Sequence, residues 1–330
     1  MKKLFLLALL LLNSFWLTGC SNDHSDNHFT HLGDPNQMIV RIGVSLYDFN
    51  DDFTLLYKEA LMEHFQYLNT EFIRYDLTIV DAQADQARQT IQIDRFINRN
   101  YNIIITSLVQ PSAATSIIEK CRVIGIPVIF VSREIDPYAV DLWPGHQTFI
   151  GTNIADVAKV QAMIINDLPN DGDINNDGII GYIMLIGDLD KIETQELLRN
   201  SLSELLDSNK AVNRYSVVQA FDNRARAREL LIDILYENDY LDIIVATSAP
   251  MILGAKDAVE MLGLVVGEDI YVVGFGGNEE VFNAINQGRI TGIVFNDHNQ
   301  QAQTTVEVAL LLLRGEEVES SYIIELVKVR

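Results

Sequence analysis

Along the chain from Met38, short runs rich in β-branched residues alternate with longer stretches whose apolar residues recur at helical spacing. In the first half, the pattern predicts strands at IVRIGVSL, DLTIV, NIIITS and PVIFV, with helices over 54–68, DQARQTIQIDRFINRN and 112–124. In the second half it predicts strands at YIMLIG, SVVQ, DIIVAT, YVVGF and RITGIVF, each followed by a helical stretch. Near-continuous apolar strands that alternate with helices indicate parallel sheets covered on both faces.

These strands are too many for one sheet of ordinary size, and a polar loop at residues 170–182 interrupts their order. We therefore predict an α/β fold of two lobes, each built on a doubly wound parallel sheet. In sheets of this kind, ligands bind at the carboxyl ends of the strands. The residues that directly follow the strands are thus the first candidates for a functional site.

Polar side chains cluster after several of these strands. Asp48, Asn50, Asp51, Asp52 and Phe53 follow the first strand, Ser132, Arg133 and Glu134 follow PVIFV, Ser248 follows DIIVAT, and Asn296 and Asp297 follow RITGIVF. Ser248 and Asn296 are also residue types that cap helix N-termini, so capping is an alternative role for both. Capping explains the Asp and Phe cluster after the first strand less well, which favours a ligand site there.

The first twenty residues have the layout of a secretory signal. Lys2 and Lys3 precede an apolar run that ends near Leu12 and is too short to span a bilayer comfortably. The Leu-Thr-Gly-Cys sequence at 17–20 resembles a bacterial lipobox, which implies that Cys20 is lipidated and becomes the mature N-terminus. The alternative is an ordinary secretory signal with a chance cysteine. We expect a cell-envelope protein that is lipid-anchored to the membrane, with an extracytoplasmic body.

Residues 21–37 are polar and lack apolar periodicity, which predicts a flexible tether between the membrane and the folded body. Three histidines lie in it and would allow metal chelation, but isolated histidines in a tether are the simpler interpretation. A formal net charge of −22 argues against nucleic acid as a partner, because phosphate binding needs a basic surface. The same charge favours neutral or cationic ligands over anionic ones.

The loop NDGDINNDGIIGY matches part of an EF-hand calcium loop. Asp173, Asn175, Asp177 and Gly178 occupy positions 1, 3, 5 and 6, but position 12, where an EF-hand has a bidentate Glu, is Met184. A buried strand follows the loop in place of a helix. The match is therefore either accidental or a calcium loop whose last carboxylate comes from elsewhere in the chain.

Three segments together resemble the periplasmic galactose/glucose-binding proteins of bacterial ABC importers: RIGVSLYDFNDDF, the DINNDG loop with its strand, and QGRITGIVFNDHNQQA. The resemblance covers about Ile39 to Leu313. It implies a type I periplasmic-binding-protein fold, in which a three-segment hinge joins two lobes and a sugar is clamped between them. The expected boundaries are a signal peptide 1–20, a tether 21–37, a first lobe 38–152 plus 297–323, and a second lobe 153–296 plus 324–330.

The resemblance also implies a Ca²⁺ site at the loop 173–181. Asp173, Asn175 and Asp177 match side-chain ligands, Ile179 matches a carbonyl ligand, and Asp242 aligns with the distant carboxylate, a Glu in the family. The family's amide ligand at position 9 is Gly181 here, which leaves water to supply that oxygen. A hydrogen-bonded turn without metal is the alternative.

The sugar site implied by the resemblance is only partly retained. Asp51, Phe53 and Asn296 match the family's residues, Arg199 matches its sugar-binding Arg, and the second stacking aromatic aligns with Phe221 or Asp222. Ser132-Arg133 stand where the family has Asn-Lys, Ser248 replaces an Asn, and Gly276 replaces an Asp. A different sugar, weaker binding, or new contacts from Lys191, Glu193, Asp222 or Asn278 therefore remain open.

The chain carries none of the catalytic motifs G-x-S-x-G, H-E-x-x-H or G-x-x-x-x-G-K, so we do not expect an enzyme. We predict a monomeric solute-binding lipoprotein that captures a galactose- or glucose-like monosaccharide and delivers it to an ABC transporter permease. The alternative is a sugar-sensing subunit of the same fold that signals to a membrane kinase or chemoreceptor. A LacI-type regulator shares the lobes but begins with a DNA-binding helix-turn-helix rather than a lipobox, and is excluded.

Overall fold

The structure, a computed structural model, describes residues 37–200, 202, 210–238 and 240–330. The predicted signal peptide, the lipobox Cys20 and all but the last residue of the predicted tether lie outside the described residues. None of the helices in the described ranges has the length and apolar character that a bilayer crossing requires.

The first half of the chain alternates strands and helices in the predicted order. The elements are β1 (Met38–Leu46), α1 (Asp52–Tyr67), β2 (Ile73–Asp81), α2 (Gln86–Asn98), β3 (Ile103–Thr106), α3 (Ala114–Ile124), β4 (Val128–Val131) and β5 (Gln147–Gly151). The strands β3 and β4 are buried along their whole length, because helices cover both faces of the sheet.

The second half repeats the pattern. Its elements are α4 (Val157–Asn166), β6 (Ile179–Ile186), α5 (Ile192–Arg199), β7 (Ala211–Gln219), α6 (Arg224–Glu237), β8 (Ile243–Ala246), α7 (Ala249–Met261), β9 (Tyr271–Phe275), α8 (Glu279–Asn286) and β10 (Gly292–Phe295). The chain then continues through α9 (His298–Leu313), β11 (Ser321–Ile323) and β12 (Val327–Val329).

The strands in the described ranges form two six-stranded sheets. The first sheet has the order β11-β5-β4-β3-β1-β2 and the second has the order β12-β10-β9-β8-β6-β7. All pairings are parallel except that of β12 with β10. Because β11 joins the first sheet and β12 the second, the chain crosses between the lobes three times. The predicted fold, two doubly wound lobes with a three-segment hinge, is confirmed.

The helix α9 belongs to the first lobe although it follows the last long strand of the second. It packs against α1 over the first sheet, where the Tyr57 hydroxyl bonds the Thr305 hydroxyl at 3.0 Å in the buried interior. A second apolar layer under α2 and α3 covers the other face of this sheet. The second lobe has the same three-layer arrangement, with one core on each face of its sheet.

Candidate ligand-binding cleft

A cleft of about 670 Å³ lies between the two lobes. Its lining comes from the segments that directly follow β1, β3, β4 and β5 in the first lobe, and β6, β7, β8, β9 and β10 in the second. This is the carboxyl edge of both sheets, where doubly wound proteins bind ligands. Of the nine residues that the resemblance assigned to a sugar site, the structure brings eight to this cleft: Asp51, Phe53, Ser132, Arg133, Phe221, Asp222, Ser248 and Asn296.

Asp51 and Phe53 form a rigid first-lobe wall of the cleft. Asp51 caps α1, since its Oδ2 accepts hydrogen bonds from the Thr54 backbone N–H and hydroxyl, both at 2.8 Å. Burial raises the pKa of Asp51, although the bonds from Thr54 and the charge of Lys191 act against this rise. The Phe53 ring is stacked on Tyr57 with the centroids 6.5 Å apart, which fixes an aromatic face that lines the cleft.

Arg133 connects the two lobes. Its Nε and Nη2 donate to the Glu193 carboxylate at 2.6 and 3.0 Å, so a first-lobe guanidinium pairs bidentately with a second-lobe carboxylate. Its Nη1 donates to the carbonyls of Leu108 and Val109 at 2.8 and 3.1 Å, and its guanidinium lies 4.1 Å from the centre of the Tyr47 ring. Most of the hydrogen-bonding capacity of Arg133 is therefore used within the protein, and its clearest role is to join the lobes.

The second-lobe wall carries another ion pair. Lys191 Nζ lies 3.1 Å from Asp222 Oδ2, and both side chains line the cleft. Phe221 and Asp222 both lie in the left-handed region, with φ of 56° and 55°, and both line the cleft. The sequence alignment left these two residues as alternatives, and the turn presents both of them. Such strained backbone is common where a turn presents side chains to a ligand.

Two buried polar atoms of the lining, Ser248 Oγ and Asn296 Oδ1, have no hydrogen-bond partner among the residues that the structure describes. Ser248 precedes α7 but makes no side-chain capping bond, and the cap of α9 is Asp297 rather than Asn296. Ser248 thus stands at the N-cap position of α7 without capping it through its side chain, and the capping role considered for Asn296 belongs to Asp297. An unpaired buried polar atom is unfavourable, so each of these atoms is suited to a polar ligand group.

Arg199 is not brought to the cleft. It is the last residue of α5, its side chain is 67% exposed, and its Nη1 bonds Glu196 Oε1 one turn earlier at 3.0 Å. The helix therefore directs this guanidinium to solvent. Asn278, considered as an additional contact, caps α8 and accepts the N–H of Val281 at 3.1 Å.

Sequence reasoning missed several lining residues. Ser107 follows β3, Thr152 follows β5 and Thr247 follows β8, and all three line the cleft. The rule that identified Ser132 and Ser248, a polar residue directly after a strand, would have found Ser107 and Thr247. Glu196 was missed because it comes from the interior of a helix, where sequence position does not indicate which way a side chain points.

The cleft is strongly acidic. Among the described residues, its only cationic lining groups are Arg133 and Lys191, and each is already paired with a lining carboxylate. Burial raises the pKa of Glu134, and the nearby charge of Glu196 from the second lobe raises it further. The eight lining carboxylates are Asp48, Asp51, Asp52, Glu134, Asp136, Glu193, Glu196 and Asp222.

The loop 173–181 folds in the manner of an EF-hand's first half. Asp173 Oδ1 and Oδ2 accept the N–H groups of Asp177 and Gly178 at 3.2 and 3.1 Å. Asn175 Oδ1 accepts the N–H of Asp177 at 2.9 Å, and Asp177 Oδ1 accepts the N–H of Ile179 at 2.8 Å. These local bonds order the loop through its own backbone.

Asp242, the predicted distant ligand, is used differently from a bidentate metal ligand. Its Oδ1 accepts the N–H groups of Ile174 and Asn175 at 2.9 and 3.3 Å, and its Oδ2 accepts the N–H of Gly181 at 2.7 Å. Within the described ranges, no group of three or more His, Cys, Asp or Glu side chains is arranged to hold a metal ion. Ca²⁺ takes 6–8 oxygen ligands, and the calcium site that the resemblance implies stays a prediction.

Comparisons with known proteins agree with this architecture. A family model described as a periplasmic binding protein domain matches residues 42–317. The chain is 26% identical over 280 residues to the "Putative rhizopine-binding protein" of Rhizobium meliloti, covering 84% of this chain and 86% of that protein. It is 24% identical over 282 residues to the D-galactose/methyl-galactoside binding periplasmic protein MglB of Haemophilus influenzae, covering 83% and 82% of the two chains.

Among solved structures, an ABC transporter solute binding protein from Bacillus halodurans with bound myo-inositol superposes with a TM-score of 0.72 at 24% identity. The match covers 90% of this chain and 96% of that one. At this identity the likeness shows the fold. The ligands named for these three proteins differ from one another.

Proposed function

The chain belongs to the periplasmic binding protein domain family, a family of binding proteins rather than enzymes, and from that premise we propose that it captures a monosaccharide for an ABC importer. The observation that carries the proposal is a pair of buried atoms, Ser248 Oγ and Asn296 Oδ1, which have no hydrogen-bond partner within the described part of the chain. They lie in a cleft that also presents Asp51 and Phe53. A sugar supplies hydroxyls for the polar atoms and an apolar ring face for the aromatic.

Galactose and glucose are the first ligands to test. The residues that match the galactose/glucose-binding family, Asp51, Phe53 and Asn296, all line the cleft. The second lobe has Ser248 and Gly276 where that family has an Asn and an Asp, so the side chains that it offers to the ligand are shorter. We therefore propose a hexose or a related neutral polyol as the ligand, held more firmly by the first lobe than by the second.

The acidic lining supports selection against anionic ligands. A sugar phosphate or a uronic acid would bring a negative charge among the eight carboxylates of the lining. The two cations of the lining are already paired with carboxylates. The Coulomb repulsion is strongest inside a partly enclosed cleft, where water screens charges least. A neutral sugar avoids this repulsion.

We propose that lobe closure couples sugar binding to delivery of the sugar. The Arg133–Glu193 pair joins the lobes in the structure at 2.6 Å, and we propose that it stabilises the closed arrangement. We propose that the closed, monomeric protein is recognised by a permease, and that a lipid on Cys20 holds it at the membrane with its body extracytoplasmic.

Calorimetry on variants of the mature chain without its lipidated Cys20, residues 21–330, tests the proposal. Asp51→Asn retains a capping side chain but loses a charged acceptor, and should weaken sugar binding roughly 10–100-fold. Phe53→Ala should weaken binding by at least about 10-fold through loss of stacking.

Asp85→Asn is the matched control, because Asp85 caps α2 in the same way and lies outside the cleft. It should bind sugar like the unmodified protein. Equal affinity in all three variants would contradict the proposed site.

A further inference from the structure

In the second sheet, β6 lies between β7 and β8, so the loop before β6 lies near the starts of both of these strands. The register pairs Ile179 with Ala211 of β7 on one side and Tyr182 with Ile243 of β8 on the other. Lys210 directly precedes β7 and Asp242 directly precedes β8. Sheet pairing therefore brings a lysine and an aspartate from distant parts of the sequence to opposite sides of one loop.

We infer that the ammonium group of Lys210 is the cation of this loop, and that the loop is ordered without calcium. Lys210 Nζ lies 3.0 Å from Asp173 Oδ2 and donates to the Asn170 carbonyl at 2.6 Å, and it also bonds Asn170 Oδ1. Three oxygens of the loop thus converge on one built-in positive charge. The inference concerns folding of the second lobe and does not depend on the proposed function.

The charge of Asp173 is what makes a cation necessary. Its side chain is 2% exposed, and burying an unpaired carboxylate is strongly unfavourable. The Lys210 side chain is 19% exposed, so water screens the pair only in part. An ion that shared Asp173 with Lys210 would place a second cation beside the ammonium group.

Lys210 also fixes the strained start of the loop. Asn170, Asp171 and Gly172 have φ values of 54°, 56° and 88°, so three consecutive residues lie in the left-handed region. This conformation is unfavourable for residues other than glycine and needs support from the surrounding structure. The two bonds from Lys210 to Asn170 supply that support at its first residue.

Asp242 completes the loop from the other side. It is fully buried, and its carboxylate accepts three backbone N–H groups from within and just after the loop. The Asp242 side chain, one methylene shorter than the family's Glu, thus binds the loop backbone directly. The lobe thereby uses a lysine and a backbone clamp at the place where a metal ion and a bidentate carboxylate were expected.

Thermal unfolding of the mature chain with chelator and with calcium tests the inference. If calcium bound at about a hundredfold excess over its Kd, it would raise Tm by roughly 4–8 °C in a protein of this size. We expect the same Tm in both conditions, and no binding heat when chelator-stripped protein is titrated with calcium chloride. A Tm that falls in chelator and recovers with calcium would overturn the inference.

Variants test the role of Lys210 directly. Lys210→Met keeps the side-chain length but not the charge, and should lower Tm by about 4–10 °C, whereas Lys210→Arg should keep most of the stability. Lys328→Met is the matched control, because it breaks a 2.7 Å pair with Asp167 that is more exposed to solvent. An effect of Lys210→Met no larger than that of Lys328→Met would also overturn the inference.

Discussion

Replacing Glu193 by Gln should weaken sugar binding and shift the lobes toward an open arrangement. Glu193 provides the second-lobe half of the ion pair with Arg133, a charged contact that crosses the cleft at 2.6 and 3.0 Å. Arg133 keeps its bonds to Leu108 and Val109 and its position over Tyr47 in this variant. The substitution therefore removes the negative charge from the interlobe contact without freeing the arginine.

The size of the effect follows from burial and geometry. The Arg133 and Glu193 side chains are 14% and 30% exposed, so the pair is screened partly by water. Hydrogen bonds to charged groups contribute about 1.5–3 kcal/mol when well shielded, and exposed ion pairs contribute at most about 1 kcal/mol. We expect about 1–2 kcal/mol for closure, which corresponds to binding weakened roughly 5–30-fold.

Two measurements check this prediction: the dissociation constant for the bound sugar by calorimetry, and the radius of gyration without ligand by small-angle scattering. Glu280→Gln is the matched control, since Arg224 pairs with Glu280 at 2.8 and 2.9 Å within the second lobe. Only Glu193→Gln should weaken binding and enlarge the radius. If both variants behave alike, the interlobe pair does not govern closure.

Three further predictions concern stability and location. Burial acts to raise the pKa of Asp173, but Lys210 and the N–H groups of Gly178 and Asp177 hold it below its usual value. The stability from this carboxyl is therefore complete above about pH 4 and is lost as pH falls through the lower folded pKa, so Asp173→Asn should flatten the acid limb of Tm against pH. Phe130→Ala, at a fully buried site in β4, should lower the free energy of unfolding by about 3–5 kcal/mol in denaturant titrations. Cys20→Ser should move the protein from the membrane fraction to the soluble fraction of fractionated cells; unchanged partitioning would contradict lipidation.

Much of the fold could be predicted because the main strands are long apolar runs bounded by polar turns. The sequence pattern did not predict the strands β5, β11 and β12, and for β11 and β12 there is a physical reason. The last two have only three residues each, and they are stabilised by pairing with strands that lie far away in the sequence. No local pattern marks such a strand.

The candidate site was predicted unevenly for a similar reason. Position after a strand located Asp51, Ser132 and Asn296, because the sheet edge brings strand ends together. Position after a strand did not reveal that Arg133 is held by Glu193, nor that Arg199 faces solvent. Both facts depend on the orientation of α5 in the second lobe.

The loop 173–181 shows the same limit. The sequence identified its EF-hand spacing, but Lys210 is tied to it only through the pairing of β6 with β7. Residues that act on a motif from a neighbouring strand are not visible in the motif itself.

A calorimetric titration of the mature chain with neutral and anionic ligands tests the central claim most directly. The panel comprises galactose, glucose, ribose, arabinose, allose and myo-inositol, with galacturonic acid and galactose 6-phosphate as anionic counterparts. We predict saturable binding of at least one neutral ligand with Kd in the micromolar range or below, about −8 kcal/mol or stronger, and no comparable binding of the anions. Absence of binding across the neutral panel, or preference for an anionic ligand, would contradict the account.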